Sequence, residues 1–143
     1  MLQAAADLTK ASRRRPVDSL EMEKATADAA TRATVAVLAD DLIWASRLRA
    51  AIERAGGRPL TVRDAREIGG TLVVIDLAGR AYDPIDAIRV AASAGVTVLA
   101  VARHDDANLR GAALDAGARR VLSYGKLFDD GPAVMARLME GTL

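Results

Sequence analysis

Short aliphatic runs recur along this chain at spacings that leave room for one helix between each pair. The clearest are Thr34 to Ala39, Leu72 to Ile75 and Val96 to Ala102, with shorter ones at Leu60 to Val62 and Arg120 to Ser123. Strands joined through helix-length crossovers run parallel, since antiparallel neighbours need only a tight turn. Right-handed crossovers then place helices on both faces of the sheet. The runs at 72–75 and 96–102 lack polar alternation, as strands covered on both faces should. The expected architecture is α/β and flavodoxin-like: a doubly wound, five-stranded parallel sheet of strand order 2-1-3-4-5 in a three-layer αβα sandwich.

The intervening segments carry helix signals. Ala45, Leu48, Ile52 and Ala55 fall at helical spacing, and Gly56-Gly57 stops that helix. A weak helix is expected near Asp64 to Ile68. Asp83 before Pro84 is an N-terminal cap followed by a first-turn proline, opening a helix to about Ala94. Asp105 or Asp106 caps the next, which ends at Gly117. Asp130 opens a last helix to about Glu140. Only 3% of residues are aromatic while 51% are apolar, so the core is built from Ala, Val, Leu and Ile.

Composition excludes several functions. A net charge of +1 gives no global field that would draw the chain to nucleic acid or to an anionic membrane. The absence of cysteine removes disulfides, thiolate metal sites and cysteine nucleophiles, and fits a reducing compartment. No apolar run approaches the ~20 residues that span a bilayer, and the amino terminus lacks a secretory signal. A cytoplasmic protein is expected. Residues 1–33 show no strand pattern: alanines and charges dominate, with a basic triplet Arg13-Arg14-Arg15 and then Pro16. They are read as an extension, partly helical or disordered, ahead of a domain at 34–143. A helix capped by Asp18 or Ser19 would bury little, because its inward face is mostly alanine.

The chemistry lies at the strand ends. Asp40 and Asp41 follow the first run and Asp76 ends the third. In a parallel sheet all three reach the carboxyl edge, where open α/β sheets hold their ligands. Such hard oxygen donors suit Mg²⁺, so Asp40, Asp41 and Asp76 form a candidate metal set. Mutual repulsion would raise the pKa of at least one of them. The competing role for Asp41 or Asp40 is helix capping. His104, the one histidine, sits beside capping aspartates and reads as a polar residue at the surface. A triad from Ser123 and His104 lacks any Gly-x-Ser-x-Gly elbow, and neither a dinucleotide fingerprint nor a P-loop is present. Trp44 falls off the apolar stripe of its helix. With Tyr82 and Phe128, placed in loops on the same side, it makes a candidate partner-contact rim; the alternative for Trp44 is partial burial under the amino-terminal segment.

This layout resembles the receiver domain of two-component response regulators over roughly residues 34–141. An acidic pair follows the first strand, an aspartate ends the third, and Ala113-Leu114-Asp115-Ala116-Gly117-Ala118 is similar to a stretch many receivers carry before their last strand. The resemblance implies that Asp76 matches the phosphoryl acceptor and that Asp40 and Asp41 match the Mg²⁺-holding pair. It also shows departures. The family's Ser/Thr position falls on Ala102 and its lysine position on Ser123, with Lys126 three residues further on as a possible substitute. Changes at the phosphoryl-reading positions imply a divergent member or pseudo-receiver. The expected function is a stand-alone, non-enzymatic signalling module working through protein contacts, with a histidine kinase or downstream effector as partner and with homodimer formation. The alternative is a true phosphoacceptor of a phosphorelay, using Asp76 with Mg²⁺.

Overall fold

The computed structural model describes residues 33–103 and 106–140, apart from the Phe128 side chain. The expectations for residues 1–32, His104 and Asp105 lie outside the described residues. The elements are β1 (Thr34–Leu38), α1 (Leu42–Arg54), β2 (Arg58–Val62), a 3₁₀ turn (Ala65–Glu67), β3 (Leu72–Asp76), α2 (Pro84–Ser93), β4 (Thr97–Ala102), α3 (Ala107–Ala116), β5 (Arg120–Ser123), α4 (Tyr124–Asp129) and α5 (Gly131–Glu140).

All strand pairs are parallel and the order is β2-β1-β3-β4-β5, as the sequence predicts. The period-2 alternation of strand side chains divides the core in two. Val35, Val37, Leu72, Val74, Leu99, Val101 and Leu122 point to one face, which α1, α4 and α5 cover with Leu48, Ile52, Leu127, Met135 and Leu138. Ala36, Leu38, Val73, Ile75, Val98, Ala100 and Val121 point to the other, under α2 and α3. Small alanines on this second face let Ile88 and Ala91 of α2 and Ala113 of α3 pack close to the sheet.

The helix ends follow the local chemistry. The Asp83 carboxylate accepts from Ile85 and Asp86 N–H, both at 3.1 Å, and Pro84 occupies the first turn. Of the two candidates for the cap of α3, Asp106 takes the role, accepting from Leu109 N–H at 3.1 Å. Gly117, at φ +119°, ends α3 in the left-handed region that a side chain would strain.

Three boundaries differ from the sequence expectation. β2 starts at Arg58 and runs through Pro59, because β2 is an edge strand: Arg58 N–H bonds Ala33 C=O at 2.8 Å, so the neighbouring Pro59 nitrogen faces the open edge, where no donor is needed. The weak helix at 64–68 is one 3₁₀ turn, capped by Asp64. The stretch after β5 is the helix α4, so Phe128 belongs to a helix and not to a loop. Ser123 caps it, its Oγ accepting Lys126 N–H at 3.2 Å, and buried Leu127 anchors it.

Candidate functional site

The carboxyl edge holds a cleft of about 390 Å³ lined by Asp40, Asp41, Asp76, Trp44, Arg103 and Tyr124, with Ala78 and Arg80 beside them. The three predicted acids do meet there, yet each is held differently. Asp41 caps α1: its Oδ1 accepts from Ile43 N–H at 2.9 Å and Trp44 N–H at 3.0 Å. Asp40 reaches across to the loop after β3, where its Oδ2 accepts from Arg80 and Ala81 N–H, both at 2.7 Å. Asp76 is the one buried charged residue among those described, at 1% exposure. Its Oδ1 accepts from Ala78 N–H at 3.0 Å and from the Tyr124 hydroxyl at 2.5 Å.

Strand alternation explains which neighbours Asp76 meets. It lies in phase with Leu72 and Val74, on the face that α1 and α4 cover. The first residue of α4, Tyr124, therefore projects at Asp76, and the first turn of α1 supplies Trp44. The Trp44 and Tyr124 rings stack with centroids 3.9 Å apart and planes 18° from parallel. The Arg47 guanidinium lies 5.1 Å from the Trp44 centroid. Trp44 is thus half-buried against Tyr124, within the described domain.

Tyr82 ties two strand ends together. It is half-buried, and its hydroxyl lies 3.0 Å from Leu38 C=O and 2.6 Å from Asp76 C=O. One proton is shared between two carbonyls, tying the ends of β1 and β3. Gly79 leaves room for this ring, since a Cβ at 79 would overlap the Tyr82 ring.

Electrostatics separate the acids. Burial pushes the Asp76 carboxyl above its usual range; the Tyr124 and Ala78 hydrogen bonds oppose this, and the charges of Asp40 and Asp41 add to the rise. One of the three carboxyls is raised, as expected, but desolvation and not mutual repulsion is the main cause. The Ala81 and Arg80 N–H groups hold Asp40 low. Burial, together with the neighbouring Asp76, keeps both tyrosine hydroxyls protonated well past their ordinary range.

The donors suit Mg²⁺ in type, as hard carboxylate oxygens. Among the described residues no group of three acids is placed together to hold a metal ion. One Asp40 oxygen is committed to backbone N–H groups, one Asp41 oxygen to the α1 cap, and one Asp76 oxygen to Tyr124 and Ala78. Ala102 and Ser123 pair at the ends of β4 and β5, and the Ser123 hydroxyl serves as a helix cap. Lys126 is exposed and is not among the residues lining the cleft. Tyr124 and Arg103 occupy that side instead. The sequence gives neither a role, and the available signal was that each directly follows a strand at the carboxyl edge.

No protein-family model matches the chain, and no curated protein matches it. Solved structures do. The receiver domain of the Francisella response regulator 1452 is 17% identical with a TM-score of 0.65, covering 78% of this chain and 100% of that one. The Thermotoga maritima regulator DrrB, an OmpR/PhoB homolog, is 18% identical with a TM-score of 0.66, over 78% of this chain and 54% of that one. The beryllofluoride-activated NtrC4 receiver domain dimer is 19% identical with a TM-score of 0.64, over 77% and 98%. This chain has the flavodoxin-like fold of response-regulator receiver domains, at a sequence distance that sets it apart from those it matches.

Proposed function

We propose that this chain is a receiver-like signalling module that acts through protein–protein contacts, a pseudo-receiver with weak or no phosphorylation. The observation that carries this reading is the state of Asp76: 1% exposed, with Oδ1 already accepting two hydrogen bonds. Carboxylate attack on phosphorus relies on positioning and on cancelling charge, because the nucleophile is weak. Here a neutral tyrosine hydroxyl draws on the nucleophilic oxygen. No hydroxyl at 102 and no lysine at 123 stand ready for a transferred group. Signalling would then run through contacts with a histidine kinase or a downstream effector, or through a second copy, as in the NtrC4 receiver dimer.

A second reading keeps Asp76 as phosphoacceptor, with Asp40 and Asp41 holding Mg²⁺ and Lys126 as substitute lysine. What favours it is that the three carboxylates line one cleft together with Arg103. Incubation with acetyl phosphate and Mg²⁺, followed by intact-mass measurement, separates the two. The pseudo-receiver reading expects little or no added phosphoryl mass; near-complete conversion that Asp76→Asn abolishes overturns it.

A further inference from the structure

We infer that Tyr124 is a gate over Asp76 and that Trp44 is its latch, so that opening the carboxylate and unstacking the tryptophan are one event. The inference rests on the pseudo-receiver reading and deepens it by naming what holds the site closed.

Two tethers fix the Tyr124 ring. Its hydroxyl is bonded to Asp76 Oδ1 at 2.5 Å. Its face lies against the Trp44 indole at 3.9 Å. Trp44 is itself set from two sides: its N–H on the backbone is fixed by the Asp41 cap, and Arg47, one turn on, lies over its ring. α4 gives Tyr124 a short support of six residues, anchored through Leu127. Asp76, Tyr124 and Trp44 line the same cleft as Arg103 and Arg80, and within it the Tyr124 hydroxyl is the side-chain group that occupies Asp76 Oδ1.

For any reagent or ligand to engage Asp76 Oδ1, the Tyr124 hydroxyl must leave it. Moving the hydroxyl swings the ring, and a ring stacked at 18° on its neighbour cannot swing without parting from it. The coupling is reciprocal by linkage. A contact on α1 that draws Trp44 away opens Asp76, and occupation of Asp76 frees Trp44. Tyr124 is therefore a positioning residue whose hydroxyl holds Asp76 Oδ1 closed.

The test reads Asp76 reactivity directly. The full chain is treated with a water-soluble carbodiimide and glycinamide, and coupling at Asp76 is followed by peptide mass, with Asp76→Asn as the blank. Labelling rate scales with the open fraction. Tyr124→Ala is expected to raise it by about tenfold, and Trp44→Leu, with Tyr124 intact, by about threefold or more. Tyr124→Phe keeps the stack and removes only the hydroxyl, so it decides the matter if Tyr124→Ala does not fold; a rise of about threefold is expected. Rates within about twofold of the parent for Tyr124→Phe, or for a folded Tyr124→Ala, overturn the gate, and the same result for Trp44→Leu overturns the latch. Near-complete phosphoryl transfer to the unaltered chain would overturn the pseudo-receiver reading by a separate readout, while these labelling ratios still judge the gate.

Discussion

Gly79 lies directly beneath the Tyr82 ring, and nothing larger than glycine fits there. That vacancy lets the Tyr82 hydroxyl bridge Leu38 C=O and Asp76 C=O, the last residues of two adjacent strands. The bridge fixes the loop whose Arg80 and Ala81 N–H groups hold Asp40. Gly79→Ala should displace the ring and destabilise the fold by about 1–3 kcal/mol, the usual cost of overpacking. Tyr82→Phe should cost about 0.5–1.5 kcal/mol, the net value of the lost hydroxyl bond, because Asp76 C=O keeps the Gly79 N–H at 3.3 Å. Urea unfolding of both variants checks this; unchanged midpoints would mean the bridge is incidental.

Asp41 separates capping from metal binding. If its work is to cap α1, Asp41→Ser should keep most of the stability, because serine is also a strong N-cap, whereas Asp41→Ala should cost about 1 kcal/mol. Thermal melts of the two variants decide it. A serine variant as unstable as the alanine one would point to a role for the carboxylate charge.

Burial raises the Asp76 carboxyl above its ordinary 3.8. Below that value the group is neutral in both the folded and unfolded chain. Above it the unfolded chain ionises first, so the contribution of Asp76 to stability is lost as pH rises through its raised folded pKa, and is level beyond it. Asp40 has the opposite sign: its lowered pKa gives stability above the ordinary value that is lost as pH falls. The stability difference between the parent and Asp76→Asn should therefore shrink with rising pH, while that between the parent and Asp40→Asn should grow. Denaturation series across acid to neutral pH measure both slopes, and equal slopes would refute the assignment.

Fold and site were legible to different depths. The parallel sheet was visible because strands covered on both faces read as unbroken aliphatic runs, and because Asp83-Pro84 and Gly117 punctuate their helices unambiguously. α4 was hidden: six residues with Gly125 among them carry no helical stripe. The convergence of Asp40, Asp41 and Asp76 followed from topology alone. What each carboxylate bonds to did not, since that depends on where a loop N–H or a tyrosine hydroxyl falls in space. Trp44 shows the same limit. Its position off the apolar stripe left partner contact and partial burial both open, and the stack on Tyr124 of α4 could not be read from the sequence.

Mg²⁺ offers the last test. A ligand that binds only the folded chain stabilises it by RT ln(1 + [L]/Kd), about 1.4 kcal/mol at tenfold excess over Kd. For a domain of this size that is a rise in Tm of roughly 4–8 °C per kcal/mol. Oδ1 of Asp76 is held by Tyr124 and Oδ2 of Asp40 by the loop after β3, and among the described residues no group of three acids is placed to hold a metal ion. Melts in about 10 mM Mg²⁺ should therefore shift the unaltered chain by less than about 1 °C. Tyr124→Phe should gain sensitivity, because it releases an Asp76 oxygen while leaving the charges of Asp40 and Asp41 in the cleft. A shift of several degrees in the unaltered chain, lost in Asp76→Asn, would establish the cation site and favour the phosphoacceptor reading.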